Sequence, residues 1–600
     1  MQNVIQSMLQ SLEVGKGQFI IRSLPLVVTL IAIGGLFDFG AYHGPNDAQS
    51  MDNAQLARQI ARGQGYTTEF LRPYALTQLQ NYVSSQTLPG GTHGELFPVK
   101  DFPTGKPRIV PDTYNAPGYP TLLAAVFNLT RTNFDQSMDD MMKHRLYAPD
   151  IIIPILNQIF LLLTGILVFV LSLRLFDQRV AWLSIVVFFG CNLIWQYSLT
   201  GLSTSLLMFL VTAMFFCIPE ILSISEECFE STEASFSRAW LWAIFMALLL
   251  TLICLTRLHL LVLLVPVMVF LNLMPKTQSL LTVLVGLIVV AGVAPWYWHF
   301  YAVSGSILGS NAAQLMYGQG EYQNDQIFCA SSIPGYESLF RFLGTKECSG
   351  LDWTLEHAWT LLGASVAILF YGAAILHQFK RRKTQRFHLL VLASAFCAVV
   401  VNSLGVDNPD DLGPWNILIL FFPCMVVIGC AFFFILLDRI GTQVPILRNL
   451  IVIVFLVLAA VPLGQNLSST LRSHTFYNYP PYAPPLIKAL SQMAQPDEWV
   501  TSDMPWATAW YGDRGSLWIP DTVSDFEDFH DNYCPSGMLI LTPVTWSKQL
   551  NELTDGEKKD WIAFYTNSRV PEGFPLAIRS AVPKPGPAYS LWSDRARWQK

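Results

Sequence analysis

Residues 47–66, DAQSMDNAQLARQIARGQGY, stand almost directly behind the apolar run 20–42. From there the chain does not return to unbroken apolar sequence until about residue 151. A first membrane span followed at once by a polar loop of roughly 100 residues, with Asp47 and Asp52 near the membrane, puts the working face at the bilayer surface.

The rest of the composition agrees. Of 600 residues, 52% are hydrophobic and only 13% charged, roughly half the charged share of a soluble domain. Long uncharged stretches of this kind are transmembrane helices. The net charge of −6 gives no hint of nucleic-acid binding. No small-residue cleavage site follows the first apolar run, so it reads as a retained span rather than a signal peptide.

About eleven apolar segments are candidate spans: 20–41, 151–173, 180–200, 203–222, 239–256, 258–274, 279–301, 355–378, 388–405, 415–437 and 448–465. The pair flanking Arg257 is short for the purpose. Lys16, Arg22, Arg174, Arg179, Lys276, the run KRRKTQR (380–386), Arg439 and Arg448 all fall in loops that are cytoplasmic if the N-terminus is inside. The segments 42–150 and 302–354 and the tail beyond 466 then face outward together. The expected fold is a polytopic α-helical membrane protein with a long first external loop and a C-terminal α/β extracytoplasmic domain. Its division is a membrane domain over 1–470 and a small domain over 471–600. In the tail, 484–494 and 545–553 carry helical spacing, and 498–503 and 537–543 read as strands between turn residues.

The spans are almost free of charge, with Asp38 and Arg257 only at their ends. A charge at mid-bilayer costs at least about 2.5 kcal/mol, so its absence argues against an ion-coupled transporter. Most cysteines sit in apolar runs, and no spacing suggests zinc. Cys329 and Cys348 share one outward loop and are expected to bridge, a closure of about 20 residues worth roughly 3 kcal/mol.

Residues 57–66, ARQIARGQGY, match the pattern A-R-x-x-x-x-G-x-G-[YF], and 116–127, APGYPTLLAAVF, carry P-x-[YF]-P before the second span. In this order and after a first span, they resemble the GT-C glycosyltransferases, in particular the family of protein O-mannosyltransferases and lipid A aminoarabinose transferases. The likeness covers the topology of about the first 470 residues and is sharp over 47–127. It implies an inner-membrane transferase that moves a sugar from a polyprenyl-phosphate donor to a lipid, glycan or protein acceptor on the outer face. Two departures stand out. The family's acid is commonly an Asp-Asp or Asp-Glu pair, whereas this chain has Asp47-Ala48 and Asp52-Asn53; an Arg-rich late loop is replaced by VDNPDDLGP (406–414).

Such a transfer needs a base for the acceptor hydroxyl and positive charge for the departing phosphate. One carboxylate acting opposite the leaving group gives single displacement with inversion. Asp52 and Asp47 are the candidates, Asp52 being favoured; its other reading is as cap of a helix over 53–62 lying along the membrane surface. Arg58, Arg62, Arg72, Arg257 and His259 are candidates for the donor phosphate, with acid pairing and snorkelling as the rival roles. Glu69, His93, Glu95 and Asp112 read as structural. Asp407, Asp410 and Asp411 offer oxygens to a divalent cation, or simply make a turn, and the turn is favoured. The Trp-rich stretch 502–520 reads as buried core. The alternatives to a transferase are a lipid-linked-glycan flippase and a catalytically degenerate envelope-assembly scaffold.

Overall fold

The apolar runs fold as helices, although fewer of them have full membrane length than the sequence suggests. The computed structural model describes residues 16–45, 47–86, 110–144, 147–227, 234–273, 278–311, 326–332, 339–406, 409–440, 445–472, 483–533, 535–548, 556–565, 573–581 and 589–597. Among these, eight helices are long and apolar enough to cross a bilayer: Ser23–Gly40, Ala148–Leu175, Thr204–Ser223, Arg238–Thr256, Leu280–Ser304, Arg382–Ser403, Leu418–Arg439 and Pro445–Leu471. A ninth forms if Gln178–Gly190 and Asn192–Thr200, bent by 55°, count as one span.

Two expected spans are corrected. The segment 258–274 opens as a tight 3-10 turn, Leu258–Leu263, and continues only as Leu264–Asn272. The segment 355–378 breaks after Glu356 and again at 362–365, leaving Val366–Ile375. At the second break Gly363 has φ +71°, and a Cβ there would lie 2.5 Å from the Cys191 sulfur. Chain apposition, invisible in a hydropathy profile, ends that helix.

The tail builds a sheet from β5 (Trp499–Ser502), β6 (Ser516–Pro520), β7 (Ser536–Leu541), β8 (Ile578–Ala581) and β9 (Ser590–Ser593). Strands β6, β5 and β7 are parallel and joined through helices Pro505–Gly512 and Val523–Asn532; β9 and β8 add antiparallel. Trp506, Trp510 and Trp518 are buried in this unit, as the Trp-rich stretch predicted. The tail is nevertheless not self-contained. The free edge of β6 is covered by β2 (Phe70–Leu71) from the first long loop, which pairs Phe70 with Ser516. Farther along, β4 (Phe328–Cys329) from the second loop pairs Phe328 with Ile519. The boundary at 470 therefore divides the chain but not the sheet. An exposed parallel edge is a template for wrong pairing, and two short strands from other loops remove it.

Helix Ala48–Ala61 is a further correction. Instead of lying on a membrane surface it is buried over most of its length, between helix Gly118–Leu129 and helix Pro505–Gly512 of the tail.

Candidate functional site

Helix Ala48–Ala61 begins where it does because Asp47, in extended conformation, caps it. Its Oδ1 accepts hydrogen bonds from the backbone N–H groups of Gln49 (2.8 Å) and Ser50 (3.3 Å). Both fall on one oxygen, and Oδ2 has no hydrogen-bond partner among the described residues. Burial pushes the Asp47 carboxyl up to about 7; the two backbone bonds and Arg257 oppose the shift, and Asp410 adds to it.

The cap is thus Asp47, and Asp52, expected just before the helix, lies in its second turn. Asp52 is fully buried and saturated. Its Oδ2 accepts from Arg72 Nη2 (2.6 Å) and Asn115 Nδ2 (2.8 Å), and its Oδ1 from Gln55 Nε2 (2.9 Å). The Arg72 guanidinium is held over the rings of Tyr114 (3.7 Å) and Phe70 (4.2 Å). Asn115 also donates its backbone N–H to Asp112 (2.7 Å), whose carboxyl is raised to about 6 by burial and by the Asp52 charge.

Three arginines expected at the donor phosphate have other partners. Arg58 is buried against Glu69, donates to the carbonyls of Trp510 and Ala509 (2.7 Å each) and lies 3.3 Å from Asp513. Arg62 grips both oxygens of Asp513 (2.7 and 3.0 Å). Burial works to raise the Asp513 carboxyl, but Arg58 and Arg62 pull it well below the usual carboxylate range. With Arg72 on Asp52, all three tie the first loop to itself or to the tail. Glu69 and Asp112 are engaged by Arg58 and by the Asn115 backbone; His93, Glu95, Lys276 and Asp407 lie outside the described residues.

Arg257 and His259 stand elsewhere. They line a polar cavity of ≈ 40 Å³, together with Gln49, Asn53, Asn115 and Trp415. Four buried polar atoms of this lining have no partner among the described residues: Gln49 Oε1, Arg257 Nη1, His259 Nε2 and Trp415 Nε1. Buried polar groups are nearly always satisfied, so four orphans around one cavity call for a polar occupant, water or ligand, and make it the candidate site. Arg257 is aimed by a bond from its Nη2 to Thr204 (3.4 Å) and by the break between Thr256 and Leu258. The same 3-10 turn that presents His259 to the cavity presents Leu261 to an apolar groove of ≈ 750 Å³, lined also by Val293, Tyr297, Trp298 and Tyr301.

The loop at 409–416 is a turn, closed by Gly413 N–H on the Asp410 carbonyl (3.1 Å) and held by Tyr197 OH on the Asp411 carbonyl (2.8 Å). No three His, Cys, Asp or Glu among the described residues gather closely enough to hold a metal ion. The expected disulfide is also corrected: Cys329 is buried in β4, Cys348 is exposed on helix Leu339–Glu356, and both are free thiols. One lies in a sheet strand and the other on a separate helix, which spacing alone does not reveal. Alkylation of the unfolded, unreduced protein is expected to label both; a mass two hydrogens short with neither labelled would restore the bridge.

Comparison with solved structures gives the fold a name. The chain superposes on the aminoarabinose transferase ArnT of Cupriavidus metallidurans bound to undecaprenyl phosphate with TM-score 0.53 and 10% identity, covering 97% of this chain and 99% of that one. The archaeal oligosaccharyltransferase AglB of Archaeoglobus fulgidus, in complex with an inhibitory peptide and a dolichol-phosphate, gives TM-score 0.50 and 11% identity over 90% of this chain and 71% of that one. Both are GT-C superfamily members. This chain has the GT-C fold. No family model and no curated protein matches its sequence.

Gln49, Asn115 and Trp415 were missed by sequence reading. Gln49, two residues after the cap, is reachable once the helix start is known; nothing local marks the other two.

Proposed function

We propose that this protein is a membrane glycosyltransferase that moves a sugar from a polyprenyl-phosphate carrier to an acceptor on the extracytoplasmic face, by single displacement with inversion. The observation that carries the reading is the cavity with its four unpartnered polar atoms beside an apolar groove. A headgroup phosphate suits the cavity: Arg257 supplies charge and two fork-like donors, and Trp415 an indole N–H. The isoprenoid tail suits the groove. Arg257 is the one charged side chain lining the cavity among the described residues, which favours a monophosphate over a diphosphate carrier.

In this reading Asp47, not Asp52, is the base. It carries a carboxylate oxygen without a partner, it feels the Arg257 charge, and its burial places it near neutrality, where a general base works best. The acceptor oxygen bonds to the anomeric carbon while the carbon–phosphate-oxygen bond breaks. The proton passes to Asp47, and the phosphate leaves with the electron pair, held by Arg257. Asp52 and Asn115 act through position, fixing the helix and one wall of the cavity. Orientation with the N-terminus inside is supported by the packing of Phe176 on Phe379 (6.2 Å), which brings two basic loops together at one end of the bundle.

The test is transfer from synthetic polyprenyl-phosphate sugars by protein in nanodiscs. Arg257→Met is expected to lower kcat/KM for the donor roughly ten- to a hundredfold, the range for losing a hydrogen bond to a charged group. Wild-type protein inert toward every such donor, or an Arg257→Met enzyme with unchanged kcat/KM, would sink the proposal.

A further inference from the structure

A second polar concavity lies away from the cavity of Arg257. Helix Pro73–Ser85 presents Tyr74, Thr77, Gln78, Asn81 and Tyr82 toward Ser331 and Ser332, around a space of ≈ 570 Å³. That volume is typical of small-molecule sites. Among the described residues the chemistry of the wall is uniform: hydroxyls, side-chain amides and two phenol rings, with no carboxylate, amine, guanidinium or imidazole. Gln78 Oε1 is buried and has no hydrogen-bond partner among the described residues. Tyr82 is set in place by Gly305, whose φ of +70° and missing Cβ let the ring lie against the backbone; a Cβ there would stand 2.5 Å from Tyr82 Cδ2.

We infer that this groove binds an uncharged oligosaccharide and that it is the acceptor subsite of the reaction proposed above, on which the second clause rests. The chemistry excludes the obvious rivals. An anionic ligand would sit without a cation, and a lipid tail would strand the amides and hydroxyls. A peptide is recognised along a free strand edge or in an apolar pocket, and neither is part of this wall. A neutral sugar offers what the wall asks for: hydroxyls that both donate and accept toward Gln78, Asn81 and Thr77, and C–H faces to lie on tyrosine rings. The groove is also within reach of the cavity. Ser304 lines the groove and Asn311 the cavity, so seven Cα-to-Cα steps join them, at most about 25 Å of extended chain.

Saturation-transfer NMR on the full-length protein in nanodiscs tests this with maltohexaose, cellohexaose, mannohexaose and chitohexaose, a hexagalacturonate and a neutral hexapeptide serving as controls. At least one neutral hexasaccharide is expected to bind, and neither control. Tyr82→Ala and Gln78→Ala should each weaken that binding at least tenfold. Asn81→Trp, an exposed substitution that fills the groove without disturbing the core, should abolish it. Binding by none of the four, equal binding by the Asn81→Trp protein, or preference for either control overturns the inference. If the oligosaccharide binds as described but no sugar is transferred to it from a polyprenyl-phosphate donor that the protein does turn over, the acceptor role fails while the binding site and the transferase reading stand.

Discussion

Asp47→Asn is expected to lower turnover at least about a hundredfold while leaving donor affinity nearly unchanged, the loss typical of removing a general base. Wild-type kcat/KM should fall as pH drops below about 7, because only the ionised carboxylate accepts a proton and burial holds that carboxyl near 7. The pH profile of the residual activity in the variant should lose this limb.

Stability should move the other way, which separates catalysis from misfolding. A carboxyl whose folded value is raised from 3.8 to about 7 favours the folded state most when protonated. Its contribution is complete below the unfolded value and is lost as pH rises through the folded one. At pH 8 wild-type Asp47 is therefore a buried charge that folding opposes, and asparagine, itself a good cap, removes the charge and keeps the bonds to Gln49 and Ser50. The variant should melt at the same temperature or higher at pH 8. Asp52→Asn should do the reverse, stranding the buried Arg72 cation at a cost of about 3–5 kcal/mol. A stable but inactive Asp52→Asn protein beside an active Asp47→Asn protein would exchange the two roles.

That exchange shows where the sequence stopped being legible. The membrane bundle, the long first loop and the α/β character of the tail follow from apolar runs and from strand–helix alternation. The site depends on a detail those patterns do not contain, the position of the first helical turn. Starting the helix at Asn53 makes Asp52 a cap with a free face; starting it at Ala48 turns the same carboxylate inward onto Arg72 and Asn115. The arginines were misplaced for a related reason. Arg58 and Arg62 find partners some 450 residues away, in a tail that sequence reading treats as a separate domain. The two-residue strands Phe70–Leu71 and Phe328–Cys329, which join the loops to that tail, are too short to carry any period. Arg257 and His259 stood out in the sequence because a charged residue between two short apolar runs is unusual whatever surrounds it, and both line the polar cavity.

Arg58→Met is expected to cost about 3–5 kcal/mol and to loosen the tail from the first loop. The guanidinium is buried, meets Glu69 and Asp513, and supplies donors to the carbonyls of Ala509 and Trp510 at the C-terminal end of helix Pro505–Gly512. The Ala509 carbonyl already accepts the capping N–H of Asp513 (3.2 Å), whereas the Trp510 carbonyl is among the last of the helix, so a cation there satisfies it and complements the helix dipole. Methionine fills similar space and supplies neither charge nor donors. Glu69 is then left buried with less compensation, which is the costly part of breaking such a pair. The double variant Arg58→Met, Glu69→Gln should accordingly recover at least about 1 kcal/mol of the loss, since a buried amide is cheaper than a buried unpaired carboxylate. Thermal unfolding in nanodiscs and limited proteolysis read both effects: the single variant should be cut within the tail under conditions where wild type is not, and the double variant should be partly protected. If Arg58 instead bound the donor phosphate, the single variant would keep its melting temperature and lose donor affinity, and the second substitution would restore nothing.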